Sequence, residues 1–139
     1  MTNPPEPFIF KVRVYYEDTD AGGVVFYANY LKFAERARTE MLRAFGHTHG
    51  ALAEEHGFYF VVRRCEIDYH APARLDDLLD VTAQIVGFRG ASMEMAQEVR
   101  RGSQVLASVR AILACVGENG RPVRVSAALR HAMESGMKA

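Results

Sequence analysis

A chain of 139 residues can bury one real core but is too short for a separate substrate domain, so one domain over residues 1–139 is expected. Apolar residues make up 49% and charged ones 24%, the balance of an ordinary globular protein. Lysine and arginine total 17 against 17 aspartates and glutamates, and a formal charge of zero gives no sign of a nucleic-acid partner.

Residues 1–7 read as a tail. They hold prolines and no basic segment followed by an apolar one, so no signal peptide is expected, and no apolar run approaches the ~20 residues that cross a bilayer. A cytoplasmic protein without an integral membrane segment follows as the expectation. Phe8, Phe10, Val12, Val14 and Tyr16 alternate with other residues and predict a strand from Phe8 to Tyr16.

The next stretch, Asp18-Thr19-Asp20-Ala21-Gly22-Gly23, puts two carboxylates and two glycines ahead of a helix. Glycines admit a ligand close to the backbone, and a helix start carries free amides and partial positive charge. Such a site suits a developing oxyanion, with a carboxylate beside it as general base or nucleophile. The same aspartates also serve routinely as turn caps. Metal binding by Asp18, Asp20, His47 and His49 is disfavoured: carboxylates two apart on an extended segment point opposite ways, and the histidines lie at the far end of the helix.

Tyr30, Phe33, Ala34, Ala37, Met41 and Phe45 recur at helical spacing, with Lys32, Glu35, Arg36, Arg38, Glu40 and Arg43 on the other faces. Gly46 is placed to close this helix, and Arg36 with Glu40 forms an i, i+4 pair. A short helix over Ala51 to His56 ends at Gly57. Alternating strands then run from Phe58 to Pro72, Leu79 to Gly87, Ser92 to Arg100 and Gln104 to Val116, predicting an antiparallel meander. Ser126 is placed to cap a last helix through Met133, leaving 126–139 as a short helix and tail.

One long helix and about five strands make an α+β domain with the helix on one face of an antiparallel sheet. Long unpaired edges invite a second copy of the chain. Cys65 and Cys115 sit in alternating runs and are expected to be reduced core residues. Arg63-Arg64, Arg100-Arg101 and the 121–124 stretch read as solvated surface.

The run Arg13 to Val25, followed by Tyr27, Asn29, Tyr30 and Glu35-Arg36-Ala37-Arg38-Thr39-Glu40, closely resembles the hotdog-fold acyl-CoA thioesterases of the 4-hydroxybenzoyl-CoA type, and within them the Tol-Pal-associated branch. Phe60-Val61-Val62-Arg63, Tyr69 to Asp77 and Arg89-Gly90-Ala91-Ser92 extend the resemblance over residues 8 to 117. It implies a hotdog fold with a long central helix on a curved antiparallel sheet. It also implies dimers joined edge to edge, often paired into tetramers, with active sites between subunits.

Carried over residue by residue, the resemblance makes Asp20 catalytic and Asp18 supportive, with backbone amides near Tyr27 polarising the thioester carbonyl. Gly22, Gly23, Val24, Val61, Arg89 and Ser92 become substrate-binding positions, the last two toward coenzyme A. The branch usually has histidine where this chain has Tyr27, so Tyr27 is carried over as a catalytic position whose phenol substitutes for that histidine unless the backbone alone performs the task, a departure that bears on substrate choice. Glu35 is the other carboxylate to weigh, because related enzymes place one on the central helix.

The implied reaction is hydrolysis of an acyl-CoA thioester, without metal or cofactor, with an acyl carrier protein as an alternative donor. A hotdog hydratase or dehydratase, and a non-catalytic acyl-CoA or acyl-carrier binding module, are the competing readings.

Overall fold

The computed structural model describes residues 6–137; residues 1–5 of the expected tail and the last two residues lie outside the described part. The elements run β1 (Phe8–Arg13), a single 3₁₀ turn (Tyr16–Asp18), α1 (Asn29–Ala44), α2 (His49–His56), β2 (Phe58–Tyr69), β3 (Leu78–Arg89), β4 (Ser92–Arg101), β5 (Gln104–Gly117) and α3 (Ala127–Gly136). This is the α+β arrangement expected, with α1 across one face of a five-stranded antiparallel sheet.

The strand order is β1-β3-β4-β5-β2. Only β3, β4 and β5 form a meander, so the expected four-strand meander is corrected. β2 pairs with β5, from Phe58 opposite Gly117 to Tyr69 opposite Ala107, and β1 fills the place beside β3. The connection from His70 to Asp77 is too long for a tight hairpin and carries β2 to the far edge instead.

Beneath α1 the core is formed by Tyr30, Phe33, Ala37 and Met41 against Leu79, Val81, Met93, Met95, Ala111 and Leu113. The helix closes at Gly46, whose φ of 89° lets its amide reach Arg43 and the His47 amide reach Leu42, the hydrogen bonds of a Schellman stop. Thr48 and Ser126 cap α2 and α3 through their hydroxyls, the second as expected.

Three expectations for single residues are corrected. Arg38 turns inward, where its guanidinium donates to Gln97 Oε1 at 3.0 Å while Gln97 Nε2 holds the Ala34 carbonyl at 2.9 Å. Burial lowers its pKa, with nearby Cys65 and Glu35 opposing. Glu40 pairs with Arg43 at 3.4 Å rather than with Arg36. Cys115 is in the core, its thiol pushed up to about 11 by burial, but Cys65 is exposed on β2.

β2 explains that last difference. As an edge strand it is covered by β5 on one side only, and a bulge between Val62 and Arg64 shifts its register. Tyr59, Val61, Val62 and Tyr69 are all exposed along it.

Candidate active site

The first strand stops early because Asp18 intervenes. Its carboxylate accepts the Tyr15 amide at 2.8 Å and closes the 3₁₀ turn, so the strand ends at Arg13 rather than Tyr16, and Tyr16 is exposed. The Asp18 carbonyl accepts the Phe26 amide and the Asn29 side chain, both at 2.9 Å. Every polar contact Asp18 makes here holds the loop together.

Asp20 sits in a tight turn flanked by the bridge between Thr19 and Val25. Its amide donates to the Val24 carbonyl at 2.9 Å and its carbonyl accepts from Gly23 at 3.0 Å. Gly23 has a φ of 77°, so it is a glycine the turn itself requires. Asp20 Oδ1 accepts the Gly22 amide at 2.9 Å, while the residue stays exposed and its second oxygen receives no hydrogen bond among the described residues. Val24 is half-buried and bridges to Arg74.

Beyond this turn the chain enters α1 without a side-chain cap: Ala28 stands at the cap position. The Tyr27 and Ala28 amides donate to no group among the described residues. Free donors and the positive end of the helix dipole therefore face outward at one place. Beside them a cavity of about 330 Å³ lies between Val25, Tyr27, Tyr30 and the 69–72 segment.

The 69–77 segment supports this cavity. Ala73 gives its amide to the Tyr30 hydroxyl at 3.0 Å and takes the Val25 amide at 2.8 Å on its carbonyl. Tyr69 donates its hydroxyl to the Tyr27 carbonyl at 2.8 Å, and its ring meets those of Tyr27 and Tyr30 edge-on. Partial burial, and then the neighbouring Tyr27 and Tyr30, raise the Tyr69 pKa, so it remains a donor at neutral pH. The motif containing Tyr69 was visible in the sequence, but its contact with Tyr27 spans 42 residues and left no local signal.

A larger cavity, about 490 Å³, opens on the sheet face away from α1 among Glu66, Asp68, Arg100 and Arg110. Arg100 pairs with Glu98 and Arg110 with Glu94, so its cations are already compensated. Glu35 is exposed and lines a separate cavity of about 140 Å³ with Arg38 and His49. His70 shares a hydrogen bond with Ser108 at 2.9 Å. Among the described residues no group of three or more histidines, cysteines, aspartates or glutamates could hold a metal ion.

Three of the expected positions are not gathered around Asp20 and Tyr27 within one chain. Arg89 and Ser92 flank the β3–β4 turn, where the Ser92 hydroxyl donates to the Arg89 carbonyl at 2.8 Å, and Val61 lies across the same row through Ala114. Tyr69 pairs with Ala107, seven residues down β5 from that row, which is ~23 Å along a strand. The site residues thus form two groups, one at each end of β2.

A profile described as the thioesterase superfamily matches residues 22–108, which include the glycine turn, the start of α1 and the Tyr69 segment. The chain belongs to the thioesterase superfamily. It is 45% identical over 130 residues to the acyl-CoA thioesterase YbgC of Haemophilus influenzae, covering 89% of this chain and 95% of that protein.

It is also 47% identical over 106 residues to the acyl-CoA thioester hydrolase YbgC of Escherichia coli O157:H7, covering 76% and 78%. The crystal structure of a probable thioesterase from Bartonella henselae superposes with a TM-score of 0.83 at 38% identity, over 87% of this chain and 100% of that one. The hotdog thioesterase fold expected from the motif is therefore the fold of this superfamily member. Among the described residues no helix is long and apolar enough to cross a membrane.

Proposed function

We propose that this thioesterase hydrolyses an acyl-CoA to a carboxylate and coenzyme A, with Asp20 as general base or nucleophile and the free amides at the start of α1 polarising the thioester carbonyl. The observation that carries the reading is the uncapped start of α1, whose Tyr27 and Ala28 amides are unpaired among the described residues, following directly on the exposed Asp20 turn. The carbonyl oxygen gains negative charge as the new C–O bond forms, and those donors stabilise it there. With Asp20 as base, water supplies the attacking oxygen, the C–S bond breaks, and the thiolate takes up the proton that Asp20 removed from that water. With Asp20 as nucleophile, the C–S bond breaks to leave an acyl–Asp20 anhydride, which water then cleaves to the carboxylate, its proton going to the thiolate.

A second copy of the chain completes the site in this reading. β2 is open along its outer edge, and antiparallel pairing with the same strand of another copy would set its Tyr69 end against the other's Val61 end. Arg89, exposed and without an ion pair among the described residues, is then the cation that meets a coenzyme A phosphate, with Ser92 beside it. Gly22, Gly23 and Val24 shape the wall next to Asp20. A dimer is the smallest assembly this needs; pairing of dimers into a tetramer, a carrier-protein thioester as substrate and a cytoplasmic location are compatible with it.

Turnover separates the alternatives. A hydratase or dehydratase needs an acid and a base at adjacent substrate carbons, and His70 is engaged with Ser108. A binding module would release no thiol. The deciding experiment follows free-thiol release from short aliphatic, long aliphatic and aromatic acyl-CoA, because Tyr27 in place of the branch's histidine bears on which is preferred.

Asp20→Asn is expected to lose ~10²- to 10⁴-fold in rate, the range of a general base. Asp18→Asn should stay within about 5-fold of native, since an asparagine oxygen can still accept from Tyr15. Near-native turnover by Asp20→Asn would sink the assignment.

A further inference from the structure

We propose that Tyr69 is a positioning residue for thioester hydrolysis: by holding the Tyr27 carbonyl, its hydroxyl aims and strengthens the Ala28 amide, one of the two free donors proposed for the substrate oxygen. The inference rests on the proposed role of the α1 amides and extends it to a residue 42 positions away, whose hydroxyl is engaged by the Tyr27 carbonyl.

The peptide joining Tyr27 to Ala28 is planar and trans, so its carbonyl and its N–H point in opposite directions. Fixing one end fixes the other. The helix does not perform this task itself, because the Leu31 amide goes to the Ala28 carbonyl at 3.2 Å and leaves the Tyr27 carbonyl to Tyr69. A carbonyl that accepts a hydrogen bond also polarises its peptide unit, which makes the attached N–H a better donor.

Tyr69 is a rigid reference for that purpose. It is the last residue of β2, paired with Ala107, and the His70 and Ala71 amides just after it both bind the Leu106 carbonyl, at 2.7 and 3.1 Å. Its ring packs edge-on against Tyr30 at 5.3 Å, and Tyr30 is buried in the first turn of α1. The sheet end and the helix start are thereby held to one another.

The loop itself does not depend on this contact. Asp18 holds Phe26, Phe26 holds Asn29, and Ala73 holds Val25, each at 2.8 or 2.9 Å. Removing one hydroxyl should therefore leave the fold and the substrate cavity in place while the Ala28 donor loses its alignment. That is a loss in the transition state rather than in binding.

The test is Tyr69→Phe, which keeps the ring and removes the oxygen. Its kcat is expected to fall by about 10-fold or more, less than the ~10²- to 10³-fold that follows deletion of an oxyanion donor itself. KM should stay within about two-fold and the melting temperature within about two degrees. The Ala28 amide resonance of the isotope-labelled protein should shift and exchange with solvent faster.

A kcat within about two-fold of native, a loss lying wholly in KM, or an unmoved Ala28 amide overturns the proposal. The amide measurement needs no turnover, so it still decides the positioning role if Asp20→Asn proves fully active and the catalytic reading falls.

Discussion

The Tyr30 hydroxyl accepts the Ala73 amide at 3.0 Å, tying the first turn of α1 to the connection that follows β2. Tyr30 and Ala73 are both buried, so no water can take over the bond. Tyr30→Phe leaves the Ala73 amide without an acceptor, at a cost of about 1–3 kcal/mol. Thermal unfolding should show a lower midpoint, and an unchanged midpoint would mean that the amide finds another acceptor.

Asp77 sets the acid limit of the same connection. Burial alone would raise its carboxyl, but the Arg74 amide at 2.8 Å and the Arg101 guanidinium at 2.7 Å together hold it below the usual carboxylate range. A depressed native pKa means that its stabilisation is present above the unfolded value, ~3.9, and is lost as pH falls through the lower native value. Asp77→Asn should therefore melt lower than native at pH 7, by about 4 °C. The two curves should converge as the medium is acidified below pH ~4, and a gap that persists there would contradict the linkage.

Edge pairing through β2 is tested by Cys65→Lys. Cys65 is exposed in the single chain, so a lysine there costs no core packing, yet it puts a charge in the middle of the open edge. Light scattering should give one copy per particle where the native protein gives two or four. Thiol release should fall at the same time, because Val61, Arg89 and Ser92 no longer reach the Tyr27 end of another chain. A native protein that is monomeric and fully active would refute the shared site.

Periodicity carried the element list: α1, its glycine stop, α2, the four later strands and α3 can all be read from spacing and caps, since those signals are local. The limits of that reading fall where a partner lies far along the chain. Arg38 has the charge of a surface residue, yet Gln97, 59 residues away, supplies the hydrogen bond that lets it turn inward. Strand order was equally hidden, because alternation reports that a strand is half-buried and is silent about its neighbour.

The site divides the same way. The sequence by itself determined the acidic glycine turn before a long helix, and its motif was specific enough to indicate the thioesterase superfamily. What each aspartate does with its carboxylate is local too, since Asp18 accepts from Tyr15 and Asp20 from Gly22, each within three residues; the tertiary structure decided the rest. It left the Tyr27 and Ala28 amides unpaired among the described residues, brought Tyr69 to the Tyr27 carbonyl and Ala73 to Tyr30 and Val25, and separated Val61, Arg89 and Ser92 to the other end of β2. Those facts depend on how β2 and β5 pair, and hydrogen bonds between residues tens of positions apart leave no trace in the spacing of neighbours.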